Sequence, residues 1–228
     1  MLREILNALK GKDVLGEMIA QVGQMLRAGR WMFDKSAEVL MRKADWHGIA
    51  DELYARDREI NHIEQNVRER IITHLSVGNK ADLSACLALM CVVKDAERIG
   101  DYCKNIFEVG KFYEHEYAHL QYAKPLEQVR DTIEPLFEQA AKAFVEGDRA
   151  MARKVLDTAG SVTRTCDVLI QQLLSSAEQL PADEAVAYVL LARFYKRVAA
   201  HLGNISSSVL FPVPLIDYRA TKNLEVDA

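Results

Sequence analysis

The chain has 228 residues, of which 50% are hydrophobic and 27% charged, and its formal net charge is −4. This is the composition of an ordinary globular protein, with room for one large domain or two small ones. The acidic balance gives no electrostatic reason to expect nucleic acid as a partner. The longest run without polar residues covers only residues 85–93, whereas a membrane span needs about 20. Arg3 and Glu4 also leave no apolar core for a signal peptide. We therefore expect a cytoplasmic protein, peripheral to a membrane at most.

Helical periodicity dominates the chain, and Gly and Pro are scarce, at 11 and 5. The apolar spacing predicts six helices, at about residues 14–43, 45–75, 82–114, 125–146, 148–179 and 181–210. Breaks at Gly78-Asn79, Gly147-Asp148 and Pro181 separate the members of each helical hairpin. Asp45 is a candidate cap for the second helix, and the Asn79-x-x-Asp82 pattern is a candidate cap for the third.

The pattern of three helices occurs twice. Residues 97–106 align with residues 196–205, with Arg, an aliphatic residue, Asn and Ile in register. We therefore predict an all-α protein of six long antiparallel helices, built as two tandem three-helix bundles. The predicted bounds are 1–118 and 119–210 for the two bundles, and 211–228 for an extended or disordered C-terminal tail.

The positions of the cysteines are consistent with the predicted all-α fold. The four cysteines show no CxxC pair and fall inside helical patterns. Disulfides and a zinc knuckle are therefore not expected. We interpret the cysteines as small buried apolar groups.

Oxygen-bearing side chains recur four residues apart on the second and third helices. Asp57 and Asn61 form one pair, and Glu97 and Asp101 form the other. Such spacing stacks the two members on one face of a helix. Because the pairs lie at nearly equal distances from Gly78, an antiparallel hairpin brings them to about the same height. Glu64 and Asn105 extend the two stripes and form a possible second shell.

This predicted patch has two interpretations. Carboxylate and amide oxygens suit Mg²⁺, Ca²⁺, Mn²⁺ or iron better than an ion that prefers thiolate ligands. Like-charge repulsion among the acids is a physical reason to hold a cation there. The alternative is a solvated surface face whose acids pair with neighbouring basic side chains. The candidate partners are Arg56, Arg58, Lys94, Arg98 and Lys104.

The second repeat departs from this pattern. Taking Pro181 as the turn, Asp167 and Lys196 lie at matching distances from it. We therefore expect an Asp167–Lys196 ion pair and no metal at this degenerate site. His201 and Asn204 keep some polarity there, although a single His on a helix is more often a hydrogen-bonded packing residue than a ligand.

The chain resembles the PhoU family of phosphate-uptake regulators. The resemblance rests on Asp57-x-x-x-Asn61-x-x-Glu64, on Asp82-Leu83 opening the third helix, and on the string from Glu97 to Asp101 (Glu-Arg-Ile-Gly-Asp). It is strongest over residues 45–113. It implies two spectrin-repeat-like three-helix bundles side by side, related by an approximate twofold axis. It also implies metal ions on the acidic faces, sometimes as iron or zinc clusters.

With the resemblance, a metal ion at Asp57, Asn61, Glu97 and Asp101 becomes the favoured interpretation. The ion would be iron, manganese, magnesium or zinc. Because Asn61 replaces a carboxylate, one ion is better supported than a cluster. The second repeat remains an expected ion pair without metal.

The resemblance further implies a regulator that restrains a phosphate ABC transporter and a membrane sensor kinase when phosphate is plentiful. A homodimer is expected for an amphipathic bundle of this size. We expect no catalytic activity, since the sequence has no Gly-rich phosphate loop and no nucleophile elbow. Two ExxH pairs, one ending at His62 and one at His119, lie at opposite ends of the hairpin and do not form a di-iron site.

Two alternatives remain for the function. The chain could be a helical accessory protein of a simple phosphate or anion carrier, or a metal-binding bundle without a phosphate role. In each case an exposed helical face would contact a partner. The candidate docking residues are Trp31, Phe33, Trp46 and Tyr54, although aromatic residues at helical spacing more often belong to the core.

Overall fold

A computed structural model of the chain describes residues 2–175 and 180–217, with side chains from residue 14 onward. Over these ranges the regular structure is helical. The helices are α1 (Leu2–Leu40), α2 (His47–Ser76), α3 (Leu83–Phe112), α4 (Leu120–Glu146), α5 (Arg149–Ser175) and α6 (Ala182–Leu210). The prediction of an all-α fold with six long helices is confirmed. None of the helices in the described ranges is both long enough and apolar enough to cross a membrane.

The predicted hairpin turns are confirmed. Gly78 and Gly147 end α2 and α4 with φ angles of 100° and 68°, which glycine adopts without steric cost. After Gly147, Asp148 caps α5 by accepting the backbone N–H of Met151 at 3.0 Å. Pro181 lies immediately before α6, where its missing N–H costs nothing.

One predicted helix cap is wrong. Neither Asn79 nor Asp82 caps α3 with its side chain. Both instead contact His74, which is only 5% exposed and needs hydrogen-bond partners. The Nε2 atom of His74 lies 2.8 Å from a carboxylate oxygen of Asp82, and the Asn79 amide donates to the His74 carbonyl oxygen at 3.0 Å. Asp45, by contrast, accepts the N–H of His47 in the first turn of α2 at 3.1 Å.

Helix α4 begins at Leu120 rather than near Pro125, so Pro125 lies inside the helix. An interior proline removes one hydrogen bond of the helix ladder. Burial of Tyr122 and Ala123 against the core compensates for that loss. The carboxylate of Glu184 also binds the backbone just before the helix, as described below.

Helix α1 differs from its prediction at both ends. It begins at Leu2, well before Val14, and it ends at Leu40 rather than near Lys43. Arg42 follows with a φ angle of 57°, a left-handed conformation that stops an α-helix. The guanidinium of Arg42 then donates to the carbonyl oxygen of Gly110 at 2.6 Å. This bond ties the end of α1 to α3.

The first residues after α6 are ordered, which corrects the prediction of an extended or disordered tail from residue 211. Residues 213–215 form a 3-10 turn. Ile216 is 5% exposed, and the N–H of Asp217 donates to Ser207 Oγ at 3.1 Å. The rest of the predicted tail, residues 218–228, lies outside the described residues, as does the predicted end of α5 near Gln179.

The two halves of the chain repeat one contact pattern. Helices α1, α2 and α3 contact each other, and so do α4, α5 and α6. Contacts of α1 with α4 and of α3 with α6 join the halves, which leaves α2 and α5 on the outside. This equivalence of α1 with α4 and of α3 with α6 matches the expected approximate twofold relation.

The main apolar core of the described residues runs through both halves. At its centre the ring of Phe33 lies 5.4 Å from that of Phe137 and 5.8 Å from that of Tyr195. Phe33 is 1% exposed, so of its two predicted roles the core role is confirmed and the docking role is excluded. The division into bundles at residues 118 and 119 stays a prediction, because the halves share this core.

Candidate functional site

Helices α2 and α3 approach closely where their polar stripes meet. A Cβ atom on Gly100 would lie 3.1 Å from Ile60 Cδ1 and 4.0 Å from a carboxylate oxygen of Asp57. Gly100 therefore lies where α2 and α3 approach closely, and the nearest atom at this level is the flexible end of Ile60. The predicted antiparallel register brings Asp57 to the height of Asp101.

A lysine bridges these two carboxylates. The Nζ atom of Lys104 lies 3.0 Å from Asp57 Oδ2 and 3.2 Å from Asp101 Oδ1. Desolvation alone would lower the pKa of Lys104, but the hydrogen bonds to Asp57 and Asp101 outweigh it and raise the pKa above its ordinary value. The ammonium group therefore stays charged between the two helices.

A second lysine bridges the other pair of acids. The Nζ atom of Lys94 lies 2.7 Å from Glu97 Oε2 and 3.7 Å from Glu64 Oε1. Glu64 and Glu97 have side chains that are only 10% and 12% exposed, so their charges need close partners. Arg68 supplies another, with Nη2 2.8 Å from Glu64 Oε1.

The predicted patch is thus present, but it is divided into two pairs of acids. Asp57 and Asp101 share Lys104, while Glu64 and Glu97 share Lys94. Asn61 lies between Asp57 and Glu64 along α2 and is half-buried. Asn105, the other predicted extension, lines a groove between α3 and α6 instead.

The residues as placed do not fit a resident metal ion. A cation held by Asp57, Glu97 and Asp101 would have to displace ammonium groups that lie within hydrogen-bond distance of these three carboxylates. In the described part of the chain, no group of three or more His, Cys, Asp or Glu side chains is arranged to hold a metal. The metal at Asp57, Asn61, Glu97 and Asp101 stays a prediction, and the function proposed below does not depend on it.

The predicted ion pair of the second repeat is confirmed. Lys196 Nζ donates to Asp167 Oδ1 between α6 and α5. The two side chains are 25% and 53% exposed. An ammonium group therefore lies between the outer helix and its neighbour in each half of the molecule.

His201 and Asn204 do not belong to that second-repeat site, which corrects their prediction. Both contact Asp95 of α3, in the other half of the molecule. His201 Nδ1 lies 2.6 Å from Asp95 Oδ1, and the amide of Asn204 donates to the same oxygen at 3.1 Å. The ring of His201 also stacks on Tyr102 at 5.7 Å. His201 is thus a hydrogen-bonded packing residue, as expected for a single His.

Asp95 was not among the site residues predicted from the sequence. It is 6% exposed and lies on the buried face of α3 beside Ala96. An acid at an apolar position was the available signal, because such an acid requires partners. Burial and the nearby Asp95 carboxylate also raise the pKa of Asp217, which follows α6 in the chain. These contacts join α3, α6 and the segment after α6.

A groove of about 550 Å³ lies between the end of α3 and the start of α6. Its apolar wall includes Phe112, Val186 and Leu190, which are 74%, 57% and 37% exposed. The acidic residues at its edge are Glu108, Glu114 and Asp183. We call this feature the α3/α6 groove.

The aromatic candidates for docking lie elsewhere. Trp31 and Trp46 are half-buried and covered by cations, Arg56 at 4.3 Å and Lys111 at 4.5 Å from the ring centroids. Tyr54 is also half-buried and packs edge-on against a core phenylalanine. The α3/α6 groove was not anticipated, because its exposed apolar residues come from helices far apart in the sequence.

Comparison with known proteins agrees with the two repeats. The family model described as PhoU domain matches residues 22–109 and 126–209. A phosphate-specific transport system accessory protein PhoU homolog of Aquifex aeolicus is 23% identical over 187 residues, which is 80% of this chain and 83% of the relative. PhoU homolog 1 of Thermotoga maritima is 23% identical over 168 residues, which is 72% of each chain.

Solved structures share the fold. The crystal structure of PhoU from Pseudomonas aeruginosa superposes with a TM-score of 0.71 at 20% identity, over 90% of this chain and 96% of that one. The phosphate transport system regulatory protein PhoU from Streptococcus pneumoniae gives 0.71 at 17% identity, over 88% and 95%. Since the family model matches most of the chain, in both of its repeats, the chain belongs to the PhoU family.

Proposed function

We propose that this protein is an accessory regulator of phosphate transport that works by binding a phosphate ABC transporter. Membership of the PhoU family supports the phosphate role, as do relatives named phosphate-specific transport system accessory proteins. The proposed mechanism is binding without catalysis. The protein would act in the cytoplasm at the membrane surface, and a homodimer and a sensor-kinase partner remain predictions.

The α3/α6 groove is the observation that carries the binding proposal. Phe112, Val186 and Leu190 expose apolar surface side by side, at 74%, 57% and 37%. Contiguous exposed apolar surface with a polar rim is typical of a protein interaction site. A surface of this kind between two helices is one that an amphipathic helix can bind through its apolar face.

The charge at the rim indicates the chemistry of the partner. Glu108, Glu114 and Asp183 line the groove, and no Lys or Arg is among its lining residues in the described part of the chain. Lys111 lies beside the groove, with Nζ 5.4 Å from the centroid of the Phe112 ring, so the acidic groups outnumber this basic one. A complementary helix carries apolar side chains on one face and Lys or Arg beside them. We assign this groove to a cationic amphipathic helix on the cytoplasmic side of the transporter.

Such binding would regulate by selection of one conformation. A protein that binds one state of a transporter more tightly than the other shifts the population toward the bound state. Asp95 and His201 join α3 and α6, the two helices that border the groove. The regulator would then hold the transporter in the state with less uptake.

The test compares two variants with the same substitution. Val186→Asp puts a charge into the groove, whereas Val168→Asp puts one on the outer helix α5. The two valines are similarly exposed, at 57% and 52%. Tagged wild-type chain and both variants would be recovered from phosphate-replete host cells, and co-purifying transporter subunits measured by quantitative mass spectrometry.

We expect the wild type and Val168→Asp to recover transporter subunits, and Val186→Asp to recover far fewer. Recovery of a single-chain phosphate carrier would instead support the accessory-protein alternative. If no transporter component accompanies the wild type, the proposed function is wrong. If Val186→Asp recovers as much as the wild type, the groove is not the binding face.

A further inference from the structure

The cations in the acidic patch come from the protein itself. Lys104 Nζ bridges Asp57 and Asp101 at 3.0 and 3.2 Å, and Lys94 Nζ lies 2.7 Å from Glu97. Lys104 follows Asp101 by three residues and Lys94 precedes Glu97 by three. Each lysine therefore reaches its acid across one turn of α3 and extends toward α2.

Charges in the patch balance. Its four carboxylates belong to Asp57, Glu64, Glu97 and Asp101, and the four cationic groups bound to them belong to Arg68, Lys94, Arg98 and Lys104. The formal local charge is therefore zero. A hard cation binds where carboxylates are in excess, and here the excess is removed within the chain.

The second repeat shows the same arrangement in a simpler form. Lys196 occupies the position that aligns with Glu97, and it binds Asp167 of the outer helix α5. In both halves, then, an ammonium from the helix next to the core binds a carboxylate of the outer helix. Lys104 in the first half and Lys196 in the second stand at different positions of the repeat, but each neutralises a carboxylate of the outer helix.

We propose that lysine ammonium groups serve as built-in cations of both acidic faces, so that this PhoU protein folds and works without a metal there. Lys104 binds Asp57 and Asp101, Lys94 binds Glu97, and Lys196 binds the acid of the second repeat. The first repeat consequently holds a latent site for a divalent cation. That site opens when its two lysines lose their charge, because four carboxylates then face only two arginines.

The experiment measures Mn²⁺ and Mg²⁺ binding to the untagged full-length chain by isothermal titration, together with melting temperature in the presence of each ion or of EDTA. The test variant is Lys94→Gln/Lys104→Gln. The matched control is Lys142→Gln/Lys154→Gln, which removes the same charge from exposed lysines on α4 and α5. A third variant adds Asp57→Asn and Asp101→Asn to the test variant.

We expect the wild type and the control to show no saturable Mn²⁺ binding and the same melting temperature in Mn²⁺ as in EDTA. The test variant should bind Mn²⁺ saturably, and on the order of tenfold or more tightly than the detection limit of the wild-type titration, since two opposing charges are gone. Its melting temperature should fall in EDTA and recover with Mn²⁺. The third variant should lose this binding, which would place the ion between Asp57 and Asp101.

Two results would overturn the proposal. One is saturable metal binding by the wild type that Asp57→Asn removes, which would place a metal in the patch despite the lysines. The other is a folded test variant that gains no affinity for either ion. If the double variant does not fold, Mn²⁺ titrations of Lys104→Gln alone and of the wild type still test whether the lysines take the place of a metal. The proposal does not rest on the proposed function, because the readout is binding to the purified chain.

Discussion

The carboxylate of Asp95 on α3 and the imidazole of His201 on α6 are joined across the two halves of the molecule, with Oδ1 and Nδ1 2.6 Å apart. Asn204 donates to the same oxygen at 3.1 Å. This buried contact joins α3 to α6, the two helices that border the α3/α6 groove further along their length. It is buried, whereas ion pairs such as Asp167–Lys196 are partly exposed to solvent.

A double-mutant cycle of Asp95→Ala and His201→Ala tests that contact. Because Asp95 is 6% exposed, removal of His201 leaves a buried acid with fewer partners. We expect each single variant to lose ~2 kcal/mol of unfolding free energy, with a coupling energy of ~1 kcal/mol or more. Urea denaturation supplies the values.

The Asp167–Lys196 pair is the control for this cycle, since its side chains are 53% and 25% exposed. Its coupling energy should stay below ~1 kcal/mol, as is usual for surface ion pairs. If the Asp95/His201 and Asp167/Lys196 cycles gave equal coupling energies, the view that the Asp95 contact holds the halves together would be contradicted.

Glu184 ties the start of α6 to the start of α4. It is 2% exposed. One of its carboxylate oxygens accepts the backbone N–H of Ala118 at 2.9 Å, and the other lies 2.8 Å from His119 Nδ1. Burial raises the pKa of this carboxyl, but hydrogen bonds from Tyr188 and His119 outweigh that effect and lower it below its ordinary value of 4.5.

A lowered pKa gives stability that is present above the ordinary pKa and is lost as the pH falls through the folded-state pKa. We therefore expect Glu184→Gln to cost ~1 to 2 kcal/mol at neutral pH. The cost should shrink at the lowest pH at which the wild type still folds. Urea denaturation at both pH values, with Glu127→Gln as an exposed control, checks this. A cost that does not change with pH would refute the assignment.

Alanine substitutions at two glycines of α3 should have opposite effects on stability. A Cβ on Gly110 would lie 3.0 Å from the backbone nitrogen of Leu40, whereas one on Gly100 would meet the flexible end of Ile60 at 3.1 Å. Backbone cannot move aside as a side-chain terminus can. We expect Gly110→Ala to lose ~2 kcal/mol or more, and Gly100→Ala to stay within ~1 kcal/mol of the wild type because alanine favours the helix. Thermal or urea unfolding of both variants decides, and the reverse order would contradict the packing described.

Much of the fold could be predicted from local signals. The glycines at 78 and 147 mark hairpin turns by their own backbone chemistry, and the structure has turns there. Pro181 marks the start of α6, which begins at the next residue. The start of α4 could not be predicted. It depends on Glu184, which lies more than sixty residues later and binds the backbone before the helix.

The candidate site shows the same division. Helical spacing and hairpin symmetry predicted that Asp57 and Asp101 would meet, and Lys104 was among the possible partners. Spacing could not decide between a metal and an ammonium group, because the choice depends on where a long flexible side chain points. The partner of His201 could not be predicted because Asp95 lies on a helix of the other repeat, and the sequence pattern within one repeat does not show how the two repeats pack.

The regulatory role is tested most directly by phosphate uptake in host cells grown with ample phosphate. The account predicts that deletion of the gene raises the uptake rate. The wild type and Val168→Asp should restore the low rate, and Val186→Asp should not, although all three chains are present in equal amounts. An uptake rate that deletion leaves unchanged would contradict the account, as would full restoration by Val186→Asp.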